Sequence, residues 1–185
     1  MKIYVLRQYL PLIVLLSFCV LGHTQSRKFD IHTIAFYNVE NLFDTIDDRY
    51  KYDNDFTPNG LHQYTTKIYR DKIAKISSVL ADIGRTENPK PPTIIGLCEV
   101  ETAAVLEDLV DHKLLKKQNY GIVHYDSPDE RGIDVALLYQ KKHFKKLRHQ
   151  VYAPQLFDLN GQRDYTRDQL VVSGQLDGEL SLIHI

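Results

Sequence analysis

The run Ile94-Ile95-Gly96-Leu97-Cys98 is apolar at every position. A strand with one wet face alternates polar and apolar residues, so this one needs cover on both faces. Ahead of it, Tyr69, Ile73, Ile76, Leu80 and Ile83 recur at spacings of three and four. That is one face of an amphipathic helix, capped at Thr65 or Thr66 and stopped by Gly84. Residues 29–38 are aromatic and β-branched and predict an earlier strand that emerges onto Asn38. Residues 47–60 contain Asp53-Asn54-Asp55 and Pro58-Asn59-Gly60 and read as a long solvated loop. The closing Glu of a twelve-residue calcium loop is missing there.

Beyond Glu99 a second helix is predicted, capped by Thr102, with Val105, Leu106, Leu109 and Val110 inward. The texture then changes to short strands at 120–124, 133–139, 144–152 and 169–176. Asp177-Gly178 is a two-residue hairpin signal, so a return strand is expected from Glu179. Helices joined to strands early and hairpins later give an α/β sandwich, helices packed outside stacked sheets.

The first residues read differently. Lys2 and Arg7 precede an apolar run over residues 12–21, followed by a short polar stretch. That is the pattern of a secretory signal peptide, assigned to residues 1–25, and the run is short for a membrane span. Soluble export to the periplasm or outside the cell is expected, with no integral membrane association once the signal is gone. A lipid anchor on Cys19 is the alternative, with bulky Phe18 against it. The chain has a net charge of −1, and losing Lys2 and Arg7 makes the remainder slightly more acidic. No large positive field is available to draw in nucleic acid. Cys98 has no disulfide partner once Cys19 leaves with the signal, and reads as an inert core thiol.

Two apolar runs end in hard-oxygen side chains, Asn38 in Phe36-Tyr37-Asn38 and Glu99 in Leu97-Cys98-Glu99. An amide and a carboxylate at neighbouring strand ends suit a small divalent cation. Magnesium needs only one or two protein carboxylates when water and substrate phosphate supply the rest. Glu101 is either a supporting or a solvated acid. Asp134 is either cleft-lining or hydrogen-bonded support. Arg131 and Arg167 are either phosphate ligands or surface partners of Asp129 and Asp168. Residues 141–149 are basic and read as a solvated edge strand. His32, His124 and His143 show no metal-ligand spacing and read as structural.

The order of strand with Asn38, helix, strand with Glu99, then Arg131-Gly132-Ile133-Asp134-Val135-Ala136-Leu137-Leu138-Tyr139 resembles the endonuclease/exonuclease/phosphatase superfamily. The segment Asn38-Val39-Glu40-Asn41-Leu42-Phe43-Asp44 is most similar to its exported bacterial branch. The resemblance covers nearly all of residues 29–180. It implies the N-terminal portion of a four-layer α/β sandwich, two stacked mixed β-sheets flanked by helices. It also implies a metal-dependent phosphoester hydrolase, endonuclease-like first, a phospholipid or sugar-phosphate phosphoesterase second. The cation implied is Mg2+, with Mn2+ or Ca2+ as alternatives, and the substrate is a phosphoester, DNA or RNA included. Carried over by motif, Glu99 is the magnesium ligand and Asn38 lies near metal and scissile phosphate. Arg167, in Tyr165-Thr166-Arg167-Asp168, contacts phosphate, and Arg131 lines the cleft.

The chain departs from that pattern after Glu179. The family continues into Asn-His, Asp-x-Asn and Asp-His motifs, and none of them is present here. The family domain is therefore assigned to residues 26–179. Residues 180–185, which resemble translated library-adaptor sequence, are expected to be a non-native tail. This chain alone is expected to be inactive and monomeric. A non-catalytic exported binding module is the reading from another class.

Overall fold

In the computed structural model, residues 30–185 are described; the expected signal peptide and Cys19 lie outside them. β1 (Ile34–Leu42) is followed by a loop and then by α1 (Thr66–Asp82). The Thr65 hydroxyl accepts from the Ile68 amide, capping α1, and Tyr69, Ile73, Ile76 and Leu80 are its buried face. Gly84 ends the turn after α1 at φ +72, with the Thr33 side chain where a Cβ would stand. β2 (Ile94–Val100) then runs parallel to β1, with α1 supplying the crossover that parallel strands require.

α2 (Ala103–Asp111) is capped by the Thr102 hydroxyl, which accepts from the Val105 amide, and buries Val105, Leu106 and Leu109. β3 (Tyr120–His124) and β4 (Asp134–Gln140) complete a mixed sheet of order β1-β2-β4-β3. β5 (Phe144–Tyr152), the two-residue strands β6 (Leu156–Phe157) and β7 (Arg163–Asp164), β8 (Gln169–Leu176) and β9 (Glu179–His184) follow. β5-β8-β9 form a second, antiparallel sheet, and β6 pairs with β7 in a small arm. Asp177 and Gly178 make the β8–β9 turn at φ +45 and +96, both in the left-handed region that such a turn demands. Ile183 of β9 is buried, and Ile185 exchanges backbone hydrogen bonds with Leu170 at 2.9 and 3.0 Å.

Two cores sandwich the first sheet. On one face Ile95, Leu97 and Val100 of β2 pack with α1 and α2. On the other, Ile94 packs with Val123, Leu137, Phe144, Leu170, Val172 and Ile183, which join the two sheets. β2 is thus covered on both sides, as its apolar run requires. The described residues build three layers in the order helices, mixed sheet, antiparallel sheet. No helix among them is long and apolar enough to cross a membrane.

The first two strands and the 47–60 loop differ from the sequence reading. β1 begins at Ile34 and continues past Asn38 to Leu42, because Leu42 regains a partner in Val100. β2 likewise continues past Glu99. The loop at 47–60 is anchored as well as solvated: Phe56 stacks on Phe43 at 4.3 Å and Asp53 is 2 % exposed. Lys51 Nζ also donates to the carbonyls of Ser127 and Asp129 at 3.1 and 2.8 Å.

Leu97 is fully buried, whereas Leu159 is fully exposed. Leu97→Ala is expected to lower unfolding free energy by about 2–5 kcal/mol. Leu159→Ala should stay within about 0.5 kcal/mol of the parent. Urea denaturation of the pair measures both.

Candidate active site

The β1–β2 ladder is regular from Ile34↔Ile94 to Asn38↔Cys98, then jumps to Leu42↔Val100. Val39, Glu40 and Asn41 on β1 are thereby opposed by Glu99 alone. Glu40, Asn41 and Glu99 sit at φ +53, +61 and +67. Each is a left-handed conformation costing a side-chain-bearing residue about 1–2 kcal/mol. Such a bulge re-aims side chains out of the regular in–out alternation. The β2–β4 pairing is disrupted at the same place, between Cys98 and Val100. Glu99 therefore leaves the ladder on both sides.

Local groups hold this conformation. The Asn38 side-chain oxygen accepts from the Glu40 amide at 2.7 Å, a turn that short amides form readily. Lys72 reaches over from α1, its ammonium donating to the carbonyls of Glu40 and, at 2.8 Å, Asn41. Burial lowers the Lys72 pKa, opposed by the nearby charges of Glu40 and Glu99.

Asn38 thus sits on the last regular rung of the β1–β2 ladder, and Glu99 lies in the bulge that follows it. Arg167, just before β8, brings Nη1 to 3.5 Å from Glu99 Oε1. The two side chains are 30 % and 19 % exposed, which leaves the pair reachable from solvent. Arg131 behaves differently: its guanidinium forks onto Asp129 at 3.1 and 3.0 Å. Hydrogen bonds donated to Asp129 raise its pKa first, and Glu99 adds to them only through its field. Asp134 is hydrogen-bonded support: it accepts from the Ser127 amide at 2.8 Å and meets His124 Nε2 at 3.2 Å. Cys98 is half-buried, and burial followed by the Glu99 charge raises its pKa, as befits a resting thiol.

Sequence reasoning missed one group and left another open. Lys72 gave no signal, since its partners are carbonyls that only the bulge exposes. Glu101 was left open between roles; it is 9 % exposed and accepts from the Asp44 amide at 2.6 Å. Burial first, then the charges of Asp44, Asp53 and Asp48, push its pKa up to about 8. It lies under a cavity of about 460 Å³ that Asp44, Asp47, Asp48, Asp126 and Asp134 help to line. Among the described residues, His124, Asp126 and Asp134 form one group with ligand atoms close enough to hold a metal; His32, His143 and Asp177 form another.

A model of the Endonuclease/Exonuclease/phosphatase family matches residues 33–184. Among solved structures, a humanized D. rerio TDP2 superposes with a TM-score of 0.50 at 14% identity, covering 83% of this chain and 45% of that one. A Bacteroides vulgatus endonuclease/exonuclease/phosphatase gives 0.49 at 16% identity, with 81% and 49% covered. A Bacteroides thetaiotaomicron family protein gives 0.45 at 13%, with 83% and 49% covered. The chain spans about half the length of these structures. No curated protein sequence matches it.

Glu101 provides a pH test. With a folded pKa of about 8 against an ordinary value of 4.5, the folded state favours its protonated form. Its contribution is intact below about pH 4.5 and is lost as pH rises through about 8. In chelator, Glu101→Gln is expected to be more stable than the parent at pH 9, on the order of 2 kcal/mol, with the difference vanishing near pH 4. Urea melts across that range measure it.

Proposed function

The chain belongs to the endonuclease/exonuclease/phosphatase family, and on that premise we propose that it carries the cation-binding part of a metal-dependent phosphoester hydrolase. A nuclease-like phosphodiesterase is the first reading. The observation that carries it is Glu99, held in a left-handed conformation outside the ladder beside Asn38, with a guanidinium on its carboxylate. Backbone strain of this kind gathers where a side chain must be aimed rather than packed.

The donor set fits a hard cation: a carboxylate and an amide oxygen. The Glu99 carboxylate already draws a positive group to itself. Glu99 and Asn38 would hold Mg2+, or Mn2+ or Ca2+ in its place. When bound, the cation would polarise a phosphoryl oxygen and help orient water. Arg167 would turn from Glu99 to the phosphate, whose oxygens match its planar fork. Lys72 keeps the bulge in shape through the Glu40 and Asn41 carbonyls. Arg131 is committed to Asp129, so its part is to add positive field, not to grip directly.

A small phosphate ester is the second reading. The Asp44, Asp47, Asp48 and Asp126 carboxylates line the adjoining cavity and would repel a polyanion passing over them. The water-activating and transition-state groups of the family lie in motifs this sequence does not contain, so these residues alone are proposed to bind without turnover. Export, through residues 1–25, and a monomeric state complete the proposal.

Isothermal titration of this chain with Mg2+ should give one site that Glu99→Gln abolishes. In a protein that includes the later motifs, Glu99→Gln and Arg167→Ala should each lower kcat/KM on plasmid DNA or sphingomyelin by roughly 100-fold or more. Arg131→Ala should lower it by roughly tenfold or less. Unchanged Mg2+ binding in the Glu99 variant would remove the basis of the reading.

A further inference from the structure

We propose that His32, His143 and Asp177 form a second metal site, of the zinc class, at the far end of the sandwich from Glu99. The three residues come from distant parts of the chain: the segment before β1, the β4–β5 turn and the β8–β9 hairpin. Thr93, which contacts His32, opens β2, whereas Glu99 lies near its other end. Six residue steps along the chain separate the two sites by roughly 20 Å.

The side chains converge on one point. His32 Nε2 lies 2.8 Å from Asp177 Oδ2, and His143 Nδ1 lies 3.2 and 3.3 Å from the two Asp177 oxygens. One ligand atom from each of the three falls within 4.8 Å of the others. Ligands about 2.0–2.1 Å from a tetrahedral zinc stand roughly 3.3 Å apart. The two histidine–aspartate separations already lie close to that spacing, and the third lies within 4.8 Å.

The surroundings point the same way. His32 Nδ1 is 3.0 Å from Thr93 Oγ1; with its proton donated there, Nε2 is the lone-pair nitrogen facing the cluster. An outer partner that sets ring orientation and tautomer is what ligating histidines ordinarily have. The Asp177 amide donates to the His143 carbonyl at 2.8 Å, so two ligands are tied through the backbone. The histidine side chains are 15 % and 17 % exposed and Asp177 is 39 % exposed. The open side, at Asp177, leaves room for water as a fourth ligand. Two imidazoles and a carboxylate favour Zn2+, Co2+ or Ni2+ over Mg2+, so this site and the Glu99 site would select different ions. A bound ion would clasp the start of β1 to the second sheet, where nothing covalent joins them.

The test is titration of the full chain with Co2+, read by visible absorption, then displacement by Zn2+, with 5 mM Mg2+ present throughout. One equivalent of Co2+ in a four- or five-coordinate spectrum is expected, displaced by one equivalent of Zn2+. His143→Gln and Asp177→Asn should each weaken binding at least tenfold, while Glu99→Gln leaves it unchanged. Saturating Zn2+ should raise the parent's melting temperature by about 5 °C or more and leave the Asp177 variant unmoved. Asp177 is the most exposed of the three, so its variant keeps the comparison valid if His143→Gln folds poorly. No saturable binding below 100 µM would reduce the cluster to two histidine–aspartate hydrogen bonds. Binding that survives Asp177→Asn, or that is lost in Glu99→Gln, would place the ion elsewhere. Each of these results overturns the proposal, and only loss in Glu99→Gln speaks to the Glu99 site, where it would mean that Glu99 does hold a divalent ion.

Discussion

The burial of β2 on every side sets the terms for the rest of the molecule. β1 and β4 hold its edges, α1 and α2 cover one face, and the second sheet covers the other. A strand in that position has no wet face on which to display a functional group. Its end is where the chain can expose one, and Glu99 is where the ladder fails. The ordering of layers and the location of the Glu99 carboxylate therefore follow from the same packing constraint.

Holding Glu99 outside the ladder carries a cost that other groups offset. Three left-handed residues lie within two adjacent strand ends. The Asn38 carboxamide and the Lys72 ammonium both bond to the same distorted stretch of backbone. Around the single Glu99 carboxylate stand Lys72, Arg167 and, through its field, Arg131. Glu40 beside Lys72 and Asp129 on Arg131 balance those cations. The acids around Glu101 gather on the neighbouring loop, where they line a cavity.

Much of the architecture was legible because the signals were local. The stripe from Tyr69 to Leu80, the Thr65 and Thr102 caps, and the Asp177-Gly178 turn each depend on neighbours within a few residues. The apolar run from Ile94 declared a strand covered on both faces. What was not legible depended on pairing across long separations. The register shift between Asn38 and Leu42 exists only because Val100 offers Leu42 a partner, so β1 was read as stopping four residues early. Lys72 acquires its role from carbonyls that the shift exposes. Glu101 became a buried acid only when the loop carrying Asp44, Asp48 and Asp53 folded over it. Arg131 and Asp129, two residues apart, advertised their ion pair in sequence, and the structure chose that partner. His32, His143 and Asp177 are so far apart along the chain that no spacing rule links them.

The central claim is that Asn38 and Glu99, from two separate strands, face one hydrated cation. Paramagnetic broadening by Mn2+ in an amide-resolved NMR spectrum tests it residue by residue. The account predicts that substoichiometric Mn2+ first erases the amide signals of Asn38 to Glu40, Cys98 to Val100, and Arg167. Broadening centred instead on Asp44, Asp48 and Asp126, or spread evenly over the surface carboxylates, would contradict it.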